Sequence, residues 1–137
     1  MRLFRRIKNK LIYDFDSLRA RCQRFKRGYS YGDIWDMDAW FERTVKPMLI
    51  HLRDHGCVVP YDLYLEDAEN ERAAWEAVLT EMIECLTLMN EEEAEKYLGV
   101  TYDNYSIESY KKVNDFMDEK KNRFFELSSK YFYSLCD

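Results

Sequence analysis

An all-α fold, a compact bundle of four to five helices, is predicted by three features of this 137-residue chain. Apolar residues recur at spacings of three and four over long stretches, the signature of a helix with one buried face. Only 4 Gly and 2 Pro are present, too few for the turns that closely spaced strands require. Aromatic residues make up 16% of the chain, enough large side chains to fill a core without metal or disulfide staples. The length is that of one ordinary domain, so residues 1–137 are expected to form a single helical domain, with 1–27 a basic amphipathic helix able to extend as an arm.

That first helix carries Phe4, Ile7, Leu11, Phe15, Leu18, Cys22 and Phe25 on one stripe and ends near Gly28. The stripe is continuous enough to belong to the core, which argues against a membrane. Gly28-Tyr29-Ser30-Tyr31-Gly32 reads as a turn. A second helix should open between Asp33 and Asp36, where Asp33, Asp36 and Asp38 can accept free backbone N–H groups and complement the helix dipole. Its inner stripe is Ile34, Met37, Phe41, Val45, Met48 and Leu52, and Pro47 inside it predicts a kink or break.

Gly56 is a natural stop, and Cys57 to Leu65 reads as an extended connector. The third helix, opening near Asn70, has the cleanest pattern: Trp75, Val78, Leu79, Met82, Ile83, Leu86 and Met89. Glu91 to Leu98 forms a short acidic helix closed by Gly99. Ser106 caps a last helix with Tyr110, Val113, Met117, Phe124, Leu127, Tyr131 and Leu135 inward, interrupted by Lys120. The four cysteines, Cys22, Cys57, Cys85 and Cys136, are scattered and read as reduced core thiols. No signal-peptide run or bilayer-length apolar stretch is present, so a cytoplasmic setting is expected.

Charge is unevenly distributed. Residues 1–30 hold ten Arg or Lys against Asp14 and Asp16, whereas residues 60–110 hold fourteen Asp or Glu against Arg72 and Lys96. Either the basic helix is compensated within the fold or across a homo-oligomer by the acidic residues Glu81, Glu84, Glu91 and Glu92, or each face addresses a partner. Arg5, Arg6, Lys8, Lys10, Arg19 and Arg21 share the basic helix with the residues beside the turn. Arg24, Lys26 and Arg27, together with Tyr29, Ser30 and Tyr31, make the best ligand- or partner-binding set: cations and turn backbone for a phosphate, rings for stacking a base.

Catalytic signatures are missing. There is no phosphate-binding glycine loop, and the GYSYG spelling lacks the apolar strand that a serine elbow needs before it. His51 and His55, four apart, are the best metal candidates, with Asp54 and Cys57 near enough to contribute. The segment lacks the zinc-protease spelling, so neither a metal nor another cofactor is expected and the chain reads as a non-enzyme. No helix-turn-helix or zinc-finger pattern supports sequence-specific nucleic-acid recognition.

In RGYSYGDIWDMD at Arg27 to Asp38, in WFERTVKPMLIHLRDHG after it, in the Trp75 helix and in the end ELSSKYFYSLCD, the chain resembles a family of small bacteriophage-encoded helical proteins. The pattern is an aromatic-Ser turn, then Asp-x-Trp at a helix start, then a histidine-bearing segment ending in Gly. The resemblance implies a phage accessory protein working by stoichiometric binding in counter-defence, blocking a host immune protein or sequestering a phosphate-bearing nucleotide signal. It carries no assigned site residues. The alternatives are a metal-dependent enzyme using His51, His55 and Asp54, and a virion or nucleic-acid-associated structural protein using the basic arm.

Overall fold

A computed structural model describes residues 16–63 and 68–136, and five helices occur among these described residues. They are α1 (16–27), α2 (Met37–His55), α3 (Ala68–Leu88), α4 (Glu91–Leu98) and α5 (Ile107–Lys130), and no strand occurs among the described residues. Single 3-10 turns stand at Gly32–Ile34, Tyr61–Leu63, Tyr102–Asn104 and Phe132–Ser134. The expected helical positions Phe4, Ile7, Leu11 and Phe15, and the basic residues Arg5, Arg6, Lys8 and Lys10, lie outside the described residues. No described helix is long and apolar enough to cross a membrane.

The chain divides into two compact units, one through Phe41 and the other from Glu42. In the second unit α5 packs on α3 and α4, and α4 on α3. Its core is Trp75, Leu79, Met82, Cys85 and Leu86 of α3, Ala94 of α4, Val113, Phe124 and Leu127 of α5, and Tyr131, whose ring meets Trp75 edge-on at 5.4 Å. Spacings of four, three and four from Trp75 to Leu86 put those α3 side chains on one stripe. Of the expected core, Trp75, Met82, Leu86, Phe124 and Tyr131 are buried, whereas Phe41, Val45, Val78 and Met117 are only half-buried.

Helix ends follow local chemistry. Asn90 caps α4 by accepting the Glu92 N–H, and Gly99, at φ +69°, closes it with Val100 N–H donating to the Glu95 carbonyl. Ser106 and Ser109 form a reciprocal capping box at the start of α5. At the end of α2, Arg72 reaches from α3 and donates to the carbonyls of Arg53, at 2.8 Å, and of Gly56. Gly56 is needed there, because a Cβ would meet the Leu52 carbonyl oxygen at 2.6 Å.

Several expectations are corrected. At Pro47, where a kink or break was expected, no break occurs, and α2 runs on to His55. The buried side chain of α2 is Leu49; Met48, Met37 and Ile34 of the expected stripe are exposed. Cys85 is a core thiol, its pKa raised by burial, but Cys22, Cys57 and Cys136 are exposed. The stripe of α1 is not core either: Leu18 and Phe25 are 59% and 93% exposed. Its opposite, polar face is the one that packs on its own unit.

Candidate binding site

The site is built from the end of α1 backwards. Gly28 adopts φ +78°, a left-handed conformation that most side chains resist, and its N–H closes the helix on the Arg24 carbonyl. The chain then doubles back along α1. The Tyr31 N–H donates to the Gln23 side chain at 3.0 Å, and the Trp40 indole N–H donates to the Gly28 carbonyl at 3.2 Å.

Asp33 ties the turn together. Its carboxylate is 3% exposed and accepts the Ser30 N–H at 2.7 Å and the Ser30 hydroxyl at 2.9 Å. It also receives a two-pronged bond from Arg24, Nε at 2.9 Å and Nη2 at 2.7 Å. Paired donors of this kind are strong because the planar guanidinium matches both carboxylate oxygens. The Arg24 bond, followed by the Ser30 N–H, holds the Asp33 carboxyl well below the usual carboxylate range, and Asp33 raises the Arg24 guanidinium in turn. Asp33 was expected to cap α2, but α2 opens later, at Met37, and the carboxylate serves the preceding turn.

Held in this way, the turn and the start of α2 form an open cavity of about 260 Å³ lined by Tyr29, Asp33, Ile34, Met37 and Trp40. Its walls are chiefly apolar side chains. Trp35, next along the chain, is 89% exposed. Nearby the Arg27 guanidinium lies over the Tyr31 ring at 4.7 Å and the Tyr29 ring at 5.6 Å. Its hydrogen bond and charge lower the Tyr31 phenol from its ordinary value.

The expected binding residues are therefore adjacent but unequal in role. Arg24 and Ser30 face inward to Asp33, Arg27 covers the tyrosine faces proposed for base stacking, and Lys26 is exposed. Sequence reasoning missed Ile34, Met37 and Trp40 as pocket walls, because helical spacing assigned the first two to the core; Asp-x-Trp after an aromatic turn was the available signal. The other candidates lie elsewhere. The His51 and His55 rings stand 4.9 Å apart, one helical turn from each other, while the Asp54 carboxylate pairs with Arg53 at 2.9 Å. Cys57 is exposed, with Sγ 3.9 Å from the His55 carbonyl. Among the described residues no three His, Cys, Asp or Glu side chains converge as metal ligands.

The chain matches no known family model, no curated protein and no solved structure.

Proposed function

We propose that this chain acts by stoichiometric binding, taking an apolar side chain of a partner protein into the pocket formed by Tyr29, Ile34, Met37 and Trp40. The observation that carries this reading is a preformed apolar cavity beside a nearly fully exposed tryptophan. Trp, Tyr and Arg dominate the energetics of protein interfaces, clustered around pockets that exclude water. At about 260 Å³ the cavity is smaller than the roughly 300–1,000 Å³ of pockets for drug-sized ligands, which suits one inserted side chain. The Asp33 clasp supports the reading as well, since a turn already ordered spares part of the entropy cost of binding. A phosphate-bearing ligand is less well served, because Arg24 and Ser30 are already engaged by Asp33.

In the setting implied by the resemblance to phage accessory proteins, the partner is a host protein and the outcome is counter-defence. Capture from host lysate tests both parts. Wild-type bait should retain one protein at equal stoichiometry, Trp35→Ala and Met37→Glu baits should lose it, and Tyr133→Ala, at the far end of the chain, should keep it. Retention of the same protein by Met37→Glu, or no specific retention by wild type, would reject the pocket.

A further inference from the structure

Helical geometry at about 100° per residue places Leu18, Cys22 and Phe25 on one line of α1, with Gln23, Arg24 and Arg27 on the other side. The second set is engaged with its own unit, through Tyr31, Asp33 and the Tyr31 ring respectively. The apolar line consequently faces outward, with Phe25 93% exposed. Arg21 flanks it on one side and Arg19 and Lys26 on the other. Such a stripe needs a cover that is apolar at its centre and acidic at its margin. A second α1 cannot supply it, since like charges would meet along both edges.

The same chain carries a surface of the complementary kind. At the corner of α4 and α5, Tyr105 and Tyr110 are exposed with ring centroids 6.4 Å apart. Residues 91–110 hold six carboxylates against Lys96 alone, and Lys96 is bound by Glu92 and Glu93 at 3.0 and 2.9 Å. Glu91 and Glu95, one helical turn apart, are close enough that their charge, after burial, raises the Tyr105 phenol. Exposed tyrosines beside uncompensated carboxylates receive Arg and Lys well, through both the ring face and the charge, while the alkyl stems cover apolar surface.

We propose that this chain self-associates head to tail, the α1 stripe of Leu18, Cys22 and Phe25 in one copy lying on the Tyr105 and Tyr110 corner of a second. Arg21 and Lys26 reach Glu91 and Glu95 at the edges of the contact. The two patches differ, so the contact either is made twice in a reciprocal twofold pair or, made head to tail, closes as a ring or continues as a filament. It is independent of the Tyr29 to Trp40 pocket and stands whether or not that pocket takes a partner.

Light scattering and sedimentation of the full chain test it. Wild type should exceed monomer mass and dissociate on dilution, with affinity falling about tenfold as salt rises from about 0.1 M to about 1 M and the screening length shrinks from about 10 Å to about 3 Å. The double variants Arg21→Glu/Lys26→Glu and Glu91→Lys/Glu95→Lys should each weaken association about a hundredfold, since like charges then face one another. Mixed in equal amounts they should form a complex again, because each now presents the charge the other needs; this rescue separates lost contact from lost folding. A monomeric wild type at every concentration, or variants that fail to recombine although each retains wild-type helical circular dichroism, overturns the proposal. So does a monomeric chain that binds phosphatidylcholine vesicles only when they contain phosphatidylserine, which would assign the stripe to an anionic membrane surface.

Discussion

Helices α1 and α5 are both amphipathic, yet they use their apolar faces in opposite ways. In α5, Val113, Phe124 and Leu127 are buried in a unit where the helix packs on α3 and α4, and Arg123 ties it to α3 by donating twice to Glu81, at 2.6 and 3.2 Å. That bond lowers the Glu81 carboxyl and raises the Arg123 guanidinium. In α1 the polar face is the packed one, tied by Arg24 to Asp33, and the apolar residues Leu18 and Phe25 point away. The lesson is that a stripe predicts a helix with a face to cover, while the polar partners within reach decide which face the fold itself covers. One unit is held chiefly by burial and the other by a buried carboxylate.

Removing burial should have the largest effect. Trp75→Ala should destabilise the second unit by about 3–5 kcal/mol, the range for emptying a filled aromatic site, read as a lowered denaturation midpoint. The equivalent truncation at the α1 stripe, Phe25→Ala, should change the monomer's stability by no more than about 0.5 kcal/mol, as exposed sites do. A large loss at Phe25, or none at Trp75, would erase the contrast between the two helices.

Acid should separate them too. Because the Asp33 carboxyl is lowered in the folded chain, its contribution is complete above the unfolded value of about 4 and is lost only as pH falls through the lower folded value. The Trp40 indole N–H resonance should therefore hold its native position below about pH 4 and shift only in stronger acid. Asp33→Asn should remove that acid-dependent step and loosen the turn at neutral pH, while leaving the melt of the α3 and α5 core nearly unchanged. An indole signal already lost at pH 4 in wild type would show that the clasp does not hold the turn.

An effect smaller than that of Trp75→Ala is expected at the cap of α5. Ser106→Ala removes the hydroxyl that accepts the Ser109 N–H at 3.1 Å and should cost about 0.5–2 kcal/mol, detectable as earlier fraying of the first turn by amide exchange. A cost near that of Trp75→Ala would mean that α5 is anchored through its cap more than through its core stripe.

Much of this architecture was legible in the amino-acid order. Period-3.6 spacing marked α3 and α5, Gly99 and Ser106 marked helix ends, and Gly28 marked the end of α1, because caps and glycine turns are local devices that depend on a few neighbouring residues. The role of Asp33 was not legible. A carboxylate before an apolar run reads as a cap until Arg24, nine residues earlier, folds back onto it, and that choice depends on how sharply Gly28 turns the chain. For the same reason Ile34 and Met37 read as core by their spacing but line an open pocket. Among the described residues the sequence by itself determined the helical segments and most of their ends; the tertiary structure alone decided which faces were left uncovered, because that depends on which polar groups the turns bring within hydrogen-bonding distance.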